Sequence, residues 1–216
     1  MKFYSIDYNT NLLKKKEVSF EINNQKIHVW LIPINHYGLD KSDKKSNWDY
    51  LSDFQIEQLN NLLYKKEDSC FYHEIKSYDS FIINESTIST NYYRSNTGNL
   101  IIFDNNYNII GYLSYQFVNS KILIQNVCMT KKYRGVGFFK IIFNWFLREI
   151  NVIYLSLKDK NYIQNFNGFS LTVWKESPFN INNQIVEIYK KFGFVFDKNE
   201  NYSDKRTYIH MIKNLN

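Results

Sequence analysis

The sequence predicts a layered α/β domain, in which helices cover a β-sheet. Three strand-like apolar segments follow one another between residues 100 and 129, an amphipathic segment after them has helical spacing, and strand-like and helical segments then alternate. The resulting order is strand, strand, strand, helix, strand, helix, strand, strand. This order is typical of an α/β layered architecture.

Three consecutive strands open this core. They are predicted at Leu100–Phe103, Ile109–Phe117 and Ile122–Met129. Turn-forming residues separate them, at Asp104–Asn106 and at Asn119–Ser120, so neighbouring strands should pair antiparallel.

The first half of the chain is less regular. Val18–Ile22 and Ile27–Ile32 flank Asn23-Asn24, a dipeptide that tolerates positive φ, and they predict a β-hairpin. Residues 48–66 carry apolar side chains at helical spacing and predict one helix. Residues 67–95 mix short apolar runs with polar residues, so we assign them no element and expect them to line a substrate.

Two helices and three strands complete the pattern. The helix after residue 137 places Phe138, Ile142 and Trp145 on one side, and the helix over residues 185–192 ends at Gly193. The remaining strands are predicted at Val152–Leu157, Phe194–Phe196 and Thr207–Met211.

The segment from residue 129 to residue 142 has the layout of an anion-binding site. An apolar strand passes through a basic, glycine-containing turn into an amphipathic helix. The first N–H groups of a helix lack partners and carry partial positive charge, so they attract anions. Gly135 and Gly137 permit a tight turn, and Arg134 and the lysines before it add full charges. A plain helix entry can carry the same two glycines, so a second motif is needed.

The glycine turn resembles a motif of the GNAT superfamily of acyl-CoA-dependent N-acyltransferases. In that family an Arg/Gln-x-x-Gly-x-Gly/Ala loop wraps the CoA pyrophosphate, and Arg134-x-x-Gly137-x-Phe139 is similar to it, with the last position changed. The resemblance extends over about residues 97–213. It implies a mixed, mostly antiparallel central sheet flanked by helices, with an N-terminal extension.

A second motif lies downstream. The family's Asn-x-x-Ala-x-x-x-Tyr helix, followed by Gly-Phe, is similar to the segment with Asn182, Tyr189, Gly193 and Phe194, where Ile185 replaces the alanine. The pair of motifs implies that the anion is the pyrophosphate of acetyl-CoA.

The resemblance implies a role for each matching residue. Backbone amides of the turn would bind the pyrophosphate, and main chain of the preceding strand would pair with the pantetheine arm like an added strand. The implied cofactor-binding residues are Val127, Met129, Arg134, Gly135, Val136, Gly137, Phe138, Phe139, Lys140 and Asn182. Two residues are implied in catalysis: Tyr189 would protonate the departing sulfur, and the Met129 N–H would polarise the thioester carbonyl.

Several of these residues have another interpretation. Tyr189 lies in an apolar helical stripe and would also be explained by packing, and Asn182 by a helix N-cap. Asn161 is a rival for the motif asparagine. Phe139 stands where glycine or alanine is usual, which leaves room for a catalytically weak acyl-CoA-binding or protein-interaction module on the same fold. Cys128 suggests a nucleophile, but a small buried apolar residue is the other reading.

The implied activity is transfer of an acetyl group from acetyl-CoA to a primary amine, by direct attack through a tetrahedral intermediate. The acceptor, a small-molecule or peptide amine, is not identified by any motif. A general base is required, but the central strand offers only Gln125 and Asn126. Glu74, Glu85 and Asp104 are the other candidates for the base.

Two parts of the chain divide these tasks. Residues 1–95 are expected to form the N-terminal part of the fold with an extension on the acceptor side, and residues 96–216 the acyl-CoA-binding core, within one compact domain. Residues 159–181 exceed what the family needs and, with a further strand candidate at Phe169–Trp174, suggest an insertion over the acceptor site.

Composition excludes several other classes. The 216 residues carry a formal charge of +6, and no stretch approaches the roughly 20 apolar residues of a membrane span. The four histidines lack metal-ligand spacing, so no metal is expected. The basic surface lacks a nucleic-acid reading motif. We therefore expect a cytoplasmic enzyme without a membrane or nucleic-acid partner.

Overall fold

The computed structural model describes residues 15–34, 51–65, 97–161, 163–174, 184–198 and 208–215. Within these ranges, eight strands form one sheet and three α-helices pack against it. The strands are β1 (Lys16–Ile22), β2 (Gln25–Ile32), β3 (Thr97–Phe103), β4 (Ile109–Val118), β5 (Lys121–Met129), β6 (Gly168–Trp174), β7 (Val195–Phe196) and β8 (Tyr208–Asn214). The helices are α1 (Asp53–Asn60), which continues as a π-helical turn over Asn61–Lys65, α2 (Phe138–Asp159) and α3 (Gln184–Lys191).

The sheet is mixed and mostly antiparallel, as the sequence predicts. Its strand order is β1-β2-β3-β4-β5-β6-β8-β7, and β5 and β6 are parallel, whereas the other neighbouring strands are antiparallel. The predicted anion turn follows β5. The turn therefore lies at the carboxyl end of β5, which is a central strand of the sheet.

The N-terminal hairpin is confirmed and belongs to the main sheet. Asn23 and Asn24 have φ values of 51° and 59°, a conformation that asparagine tolerates better than most residues. Strand β2 then pairs with β3 along five residues, from His28 opposite Phe103 to Ile32 opposite Asn99.

The sheet separates two apolar layers. On one face, Leu59, Leu62 and Leu63 from α1 and its continuation pack with side chains of the central strands such as Tyr112. On the other face, α2 and α3 cover the larger cluster, which includes Phe143 of α2. Helix α1 lies within the predicted segment 48–66, of which residues 48–50 and 66 lie outside the described residues.

The strand predicted at Val152–Leu157 is wrong, because these residues continue α2. The segment is rich in β-branched and aromatic residues, which explains the prediction. Its burial has helical spacing, however: Ile150, Ile153, Tyr154 and Leu157 are buried, and Val152 is 57% exposed. A face that packs on the sheet therefore overrides the local strand propensity.

The strand candidate at Phe169–Trp174 is confirmed, but the segment around it, predicted as an insertion, contributes to the main sheet. Gly168–Trp174 within it is β6, which pairs with β5 in parallel and with β8 in antiparallel orientation. The strand that follows α2 in the chain is therefore β6, and not Val152–Leu157. Residues 175–183 lie outside the described residues.

Candidate functional site

The site is built where the two parallel strands separate. Pairing between β5 and β6 is recorded for three residue pairs, from Ile122 opposite Phe169 to Ile124 opposite Leu171. Both strands continue beyond this point, β5 to Met129 and β6 to Trp174. Parallel strands that separate toward their carboxyl ends leave a gap between them, and ligands of α/β sheets bind at such ends.

The main chain of Val127 and Met129 points toward this gap. The Thr130 N–H donates to the Ile110 carbonyl on β4 at 2.8 Å. Because main-chain groups alternate direction along a strand, those of Met129 and Val127 point the other way, toward the side of β6. Both side chains pack on the α2 face. The predicted pantetheine-binding residues thus present a strand edge.

The glycine turn is open and left-handed at both glycines. Gly135 has φ 76° and Gly137 has φ 90°, and a Cβ at either position would meet no atom within 4 Å. Gly137 is the N-cap of α2, supplies no side-chain cap, and is followed by a first turn without an acidic side chain. The first amides of α2 are therefore suited to an anion.

Arg134 connects this turn to β5. Its Nε donates a hydrogen bond of 2.7 Å to the Met129 carbonyl oxygen, and its backbone N–H donates one of 3.1 Å to the Lys131 carbonyl oxygen. Among the described residues, the buried Thr130 Oγ1 next to Met129 has no hydrogen-bond partner. Positive charge and an unpaired hydroxyl therefore lie at the end of β5.

Phe138 and Phe139 fix the start of α2 by packing. Phe138 is 2% exposed, with its ring 5.5 Å from Tyr133. The centroid of the Phe139 ring lies 4.8 Å from that of Phe143 and 5.8 Å from that of Phe192. Because Phe192 directly follows α3, the ring points toward this helix. The unusual residue at position 139 has a structural explanation, since its ring joins the two helices. Lys140, one residue further, is exposed.

Tyr189 lies on the same face of the sheet as Met129. It is 8% exposed, and its ring packs edge-on against Phe139, Phe143 and Phe194 at 6.5, 5.8 and 5.9 Å. Burial raises the pKa of its hydroxyl well above the ordinary value of 10.0. The hydroxyl is therefore protonated at neutral pH, as a proton donor has to be.

The structure bears on one of the two candidate motif asparagines, Asn161, and does not describe the other. Asn182 lies outside the described residues. Asn161 lies just past the last residue of α2 and has φ 60°. Its backbone N–H donates to the Lys158 carbonyl oxygen, as expected of a left-handed residue at the end of a helix. Because α2 has 22 residues, about 33 Å of helix separates Asn161 from the glycine turn. Asn161 is therefore excluded as the motif asparagine.

A line of uncharged polar side chains crosses the opposite face, on the side of α1. Tyr112 Oη donates to Asn99 Oδ1 at 2.7 Å, and Asn126 Nδ2 donates to Ser114 Oγ at 2.9 Å. The register of β4 on β5 shifts between Ser114 and Tyr115, which is a β-bulge. Bulges are frequent beside active sites because they redirect side chains.

Sequence reasoning missed most of this polar line. The sequence marks Asn126 only as a residue that stands where a carboxylate is needed. Tyr112 and Ser114 lie within the strand predicted at Ile109–Phe117, and Asn99 lies just before the strand predicted at Leu100–Phe103. Their spacing is the available signal, since Tyr112 and Ser114 stand two apart on β4 and share a face. Cys128 also belongs to this face: it is 2% exposed within the α1 cluster and points away from Val127 and Met129.

Asp104 acts in a turn. Its Oδ1 accepts from the Asn106 and Asn108 backbone N–H groups at 2.9 Å each, and both carboxylate oxygens accept from Asn108 Nδ2. These bonds give the carboxylate a structural role in the β3–β4 connection. Glu74 and Glu85 lie outside the described residues.

Within the described ranges, no group of three or more His, Cys, Asp or Glu residues is placed to hold a metal ion. No helix in these ranges has the length and the apolar composition that a membrane span needs.

Comparison with known proteins gives structural matches without sequence matches. No protein-family model and no curated protein sequence matches the chain. An acetyltransferase from Streptococcus agalactiae superimposes with a TM-score of 0.52 at 18% identity, over 76% of this chain and 94% of that protein. The PaiA N-acetyltransferase from Thermoplasma acidophilum, in complex with coenzyme A, gives a TM-score of 0.52 at 16% identity, over 76% and 96%.

These likenesses concern the fold. Both proteins are covered almost entirely, so the match is to a whole acetyltransferase chain. The chain has the fold of the GNAT acetyltransferases.

Proposed function

We propose that this protein is an acyl-CoA-dependent N-acetyltransferase that transfers an acetyl group from acetyl-CoA directly to a primary amine. The observation that carries the proposal is the separation of β5 from β6 beyond Ile124 and Leu171. It leaves the main chain of Val127 and Met129 as a strand edge, beside an open glycine turn. An acyl-pantetheine arm has amide groups that pair with such an edge.

The residues of the turn fit a pyrophosphate. Gly135 and Gly137 have the positive φ values that glycine adopts without cost, and the space over them is open. The first amides of α2 supply donors, and Arg134 supplies positive charge. The binding residues in this proposal are Val127, Met129 and the segment from Arg134 to Lys140. Asn182 remains a predicted contact of the cofactor.

Two groups would carry the chemistry. The Met129 N–H, directed toward the gap, would donate to the thioester oxygen as negative charge develops on it. Tyr189, protonated because it is buried, would donate to the sulfur as the thiol leaves. The neutral amine would attack the carbonyl carbon directly, and the tetrahedral intermediate would collapse to the amide and CoA. The proton that the amine nitrogen loses to solvent would balance the proton that Tyr189 gives to the sulfur and then regains from solvent.

The acceptor would approach from the α1 face. The polar line formed by Asn99, Tyr112, Ser114 and Asn126 lies on that face and runs to the bulge at Gln125 on β5. In this proposal residues 96–216 bind the acyl-CoA, and residues 1–95 contribute to the acceptor side. The name of the Thermoplasma acidophilum protein, an N-acetyltransferase, supports an amine as acceptor.

Two measurements test the proposal in sequence. Acetyl-CoA is first titrated into the protein by calorimetry. Release of CoA thiol is then followed with a thiol reagent in the presence of polyamines, amino sugars, aminoglycosides and peptides with free amines. Mass spectrometry of the amine that stimulates release should show a gain of one acetyl group.

The outcomes separate this function from the alternative. Binding of acetyl-CoA with acetylation of an amine supports the enzyme. Binding without transfer to any amine favours a module that binds acyl-CoA without catalysis. The packing of the Phe139 ring against Phe143 and Phe192 removes one reason for that alternative, since it gives a structural explanation for the departure from glycine or alanine. Absence of binding contradicts both.

A further inference from the structure

The N-terminal hairpin touches the glycine turn at one point. Asn23 Nδ2 donates a hydrogen bond of 3.0 Å to the carbonyl oxygen of Val136, a residue 113 positions later in the chain. Asn23 is the first residue of the two-residue turn between β1 and β2, and Val136 lies between the two left-handed glycines. The tip of the hairpin is thus bonded to the middle of the proposed anion-binding segment.

This contact is the last of three along one side of the hairpin. Lys16 Nζ lies 2.8 Å from Glu149 Oε2, and the Phe20 ring packs edge-on against Trp145 with centroids 5.8 Å apart. Positions 16, 20 and 23 of the hairpin therefore follow α2 back toward its first residue. The hairpin is docked on the helix in a fixed direction, which holds Asn23 over the turn.

Packing does not replace the hydrogen bond at the tip. A cavity of about 760 Å³ lies between the hairpin, the β3–β4 turn and the segment before Arg134, and its lining includes Phe20, Asn24, Asn105 and Tyr133. The Asn23 amide therefore links the two elements beside an open space. Loss of this link would leave the Val136 peptide without that support.

The bond fixes one peptide plane of the turn. In a trans peptide the carbonyl and the following N–H point in opposite directions. When the Val136 oxygen is held toward Asn23, the Gly137 N–H is held away from the hairpin. That N–H belongs to the N-cap residue of α2 and is among the donors expected to meet the pyrophosphate. A glycine on each side of Val136 makes this plane easy to rotate unless something holds it.

We propose that Asn23 is a positioning residue, which holds the Val136–Gly137 peptide in the orientation that binds the CoA pyrophosphate. This inference rests on the proposed function. The hairpin thereby contributes to cofactor affinity without touching the cofactor. The pantetheine arm, which pairs with β5, should not depend on Asn23.

The test compares variants of the full chain by calorimetry with CoA and with pantetheine, which lacks the pyrophosphate. Asn23→Gly keeps the left-handed turn and removes the donor, and Asn23→Asp keeps the shape and replaces the donor with a charged acceptor. Asn24→Gly, at the adjacent left-handed position, is the matched control. Because an exposed hydrogen bond of ordinary strength is lost, we expect the Kd for CoA to be roughly threefold to tenfold higher in Asn23→Gly.

Each outcome has one reading. The inference is supported if the Kd for CoA is higher in Asn23→Gly and higher still in Asn23→Asp, while the Kd for pantetheine is unchanged. Asn24→Gly must in addition bind CoA like the wild type. Unchanged CoA affinity in Asn23→Gly overturns it, as does an equal loss for pantetheine or for Asn24→Gly. Failure of the wild type to bind CoA is a different result, because it overturns the proposed function as well.

Discussion

The Arg134 guanidinium is bonded to the strand residue that is proposed to polarise the thioester. Its Nε lies 2.7 Å from the Met129 carbonyl oxygen, and the two residues are five positions apart. The glycine turn and the end of β5 are therefore one hydrogen-bonded unit. This arrangement gives Arg134 a structural task in addition to its charge.

Replacement of Arg134 by lysine should weaken the binding of acetyl-CoA although it conserves the charge. Lysine lacks the planar, forked guanidinium whose Nε bonds the Met129 carbonyl, so its ammonium group cannot reproduce this geometry. A hydrogen bond from a charged group contributes about 1.5–3 kcal/mol, so we expect Kd for acetyl-CoA to rise at least tenfold. Calorimetry checks this value.

Two further variants define what Arg134 does. Arg134→Met should weaken binding at least as much as Arg134→Lys. Lys158→Met, which removes an exposed charge near the far end of α2, should bind acetyl-CoA like the wild type. If Arg134→Lys binds acetyl-CoA normally while Arg134→Met does not, the arginine acts through charge alone, and the bond to Met129 is not needed for binding.

Replacement of Phe139 by alanine should destabilise the protein and leave cofactor affinity unchanged, because only the backbone amide of residue 139, which alanine keeps, is proposed to contact the cofactor. The ring packs against Phe143 of α2 and against Phe192, which directly follows α3. Loss of a partly buried phenylalanine should cost about 2 kcal/mol, which is about 4–8 °C in melting temperature for a chain of this size. Calorimetric melting and acetyl-CoA titration measure the two effects separately.

Phe139→Leu is the matched control, because it keeps most of the apolar volume. It should lose clearly less stability than Phe139→Ala. Tighter binding of acetyl-CoA by Phe139→Ala would contradict this view, since it would mean that the ring obstructs the turn, as the comparison with glycine or alanine at this position suggests.

The sequence predicted the glycine turn well because its chemistry is local. Gly135 and Gly137 are needed for their left-handed φ values, which no other residue type adopts so readily. The hairpin at Asn23-Asn24 was predictable for the same reason. In each case the residues that define the feature are adjacent in sequence.

The failures come from packing between distant segments. Residues 152–157 have strand propensity, but Ile153, Tyr154 and Leu157 are held in a helix because their helical face is buried on the sheet. The contact between Asn23 and Val136 spans 113 positions and leaves no local pattern. Neither could be derived from neighbours along the chain.

Replacement of Tyr189 by phenylalanine should lower kcat and leave the KM for acetyl-CoA unchanged. The ring contacts to Phe139, Phe143 and Phe194 are kept, so the fold should not change. The lost group is the proton donor to the leaving sulfur, and we expect kcat to fall at least tenfold. Steady-state kinetics with an identified amine, together with a melting curve, checks both statements. An unchanged kcat would assign Tyr189 to packing alone.

The buried tyrosines should make the protein unstable in alkali. Burial raises the pKa of Tyr115, Tyr154 and Tyr189 above 10.0 in the folded state, and for Tyr115 the neighbouring Tyr154 raises it further. Because the unfolded chain ionises first, stability is complete below about pH 10 and falls as pH rises above it. Each tyrosine contributes up to about 1.4 kcal/mol per pH unit to this slope. In urea titrations between pH 8 and 11.5, Tyr154→Phe should reduce the slope by that amount, whereas any packing effect of the substitution changes only the value at pH 8. An identical slope in the variant and the wild type would mean that Tyr154 is able to ionise within the folded protein.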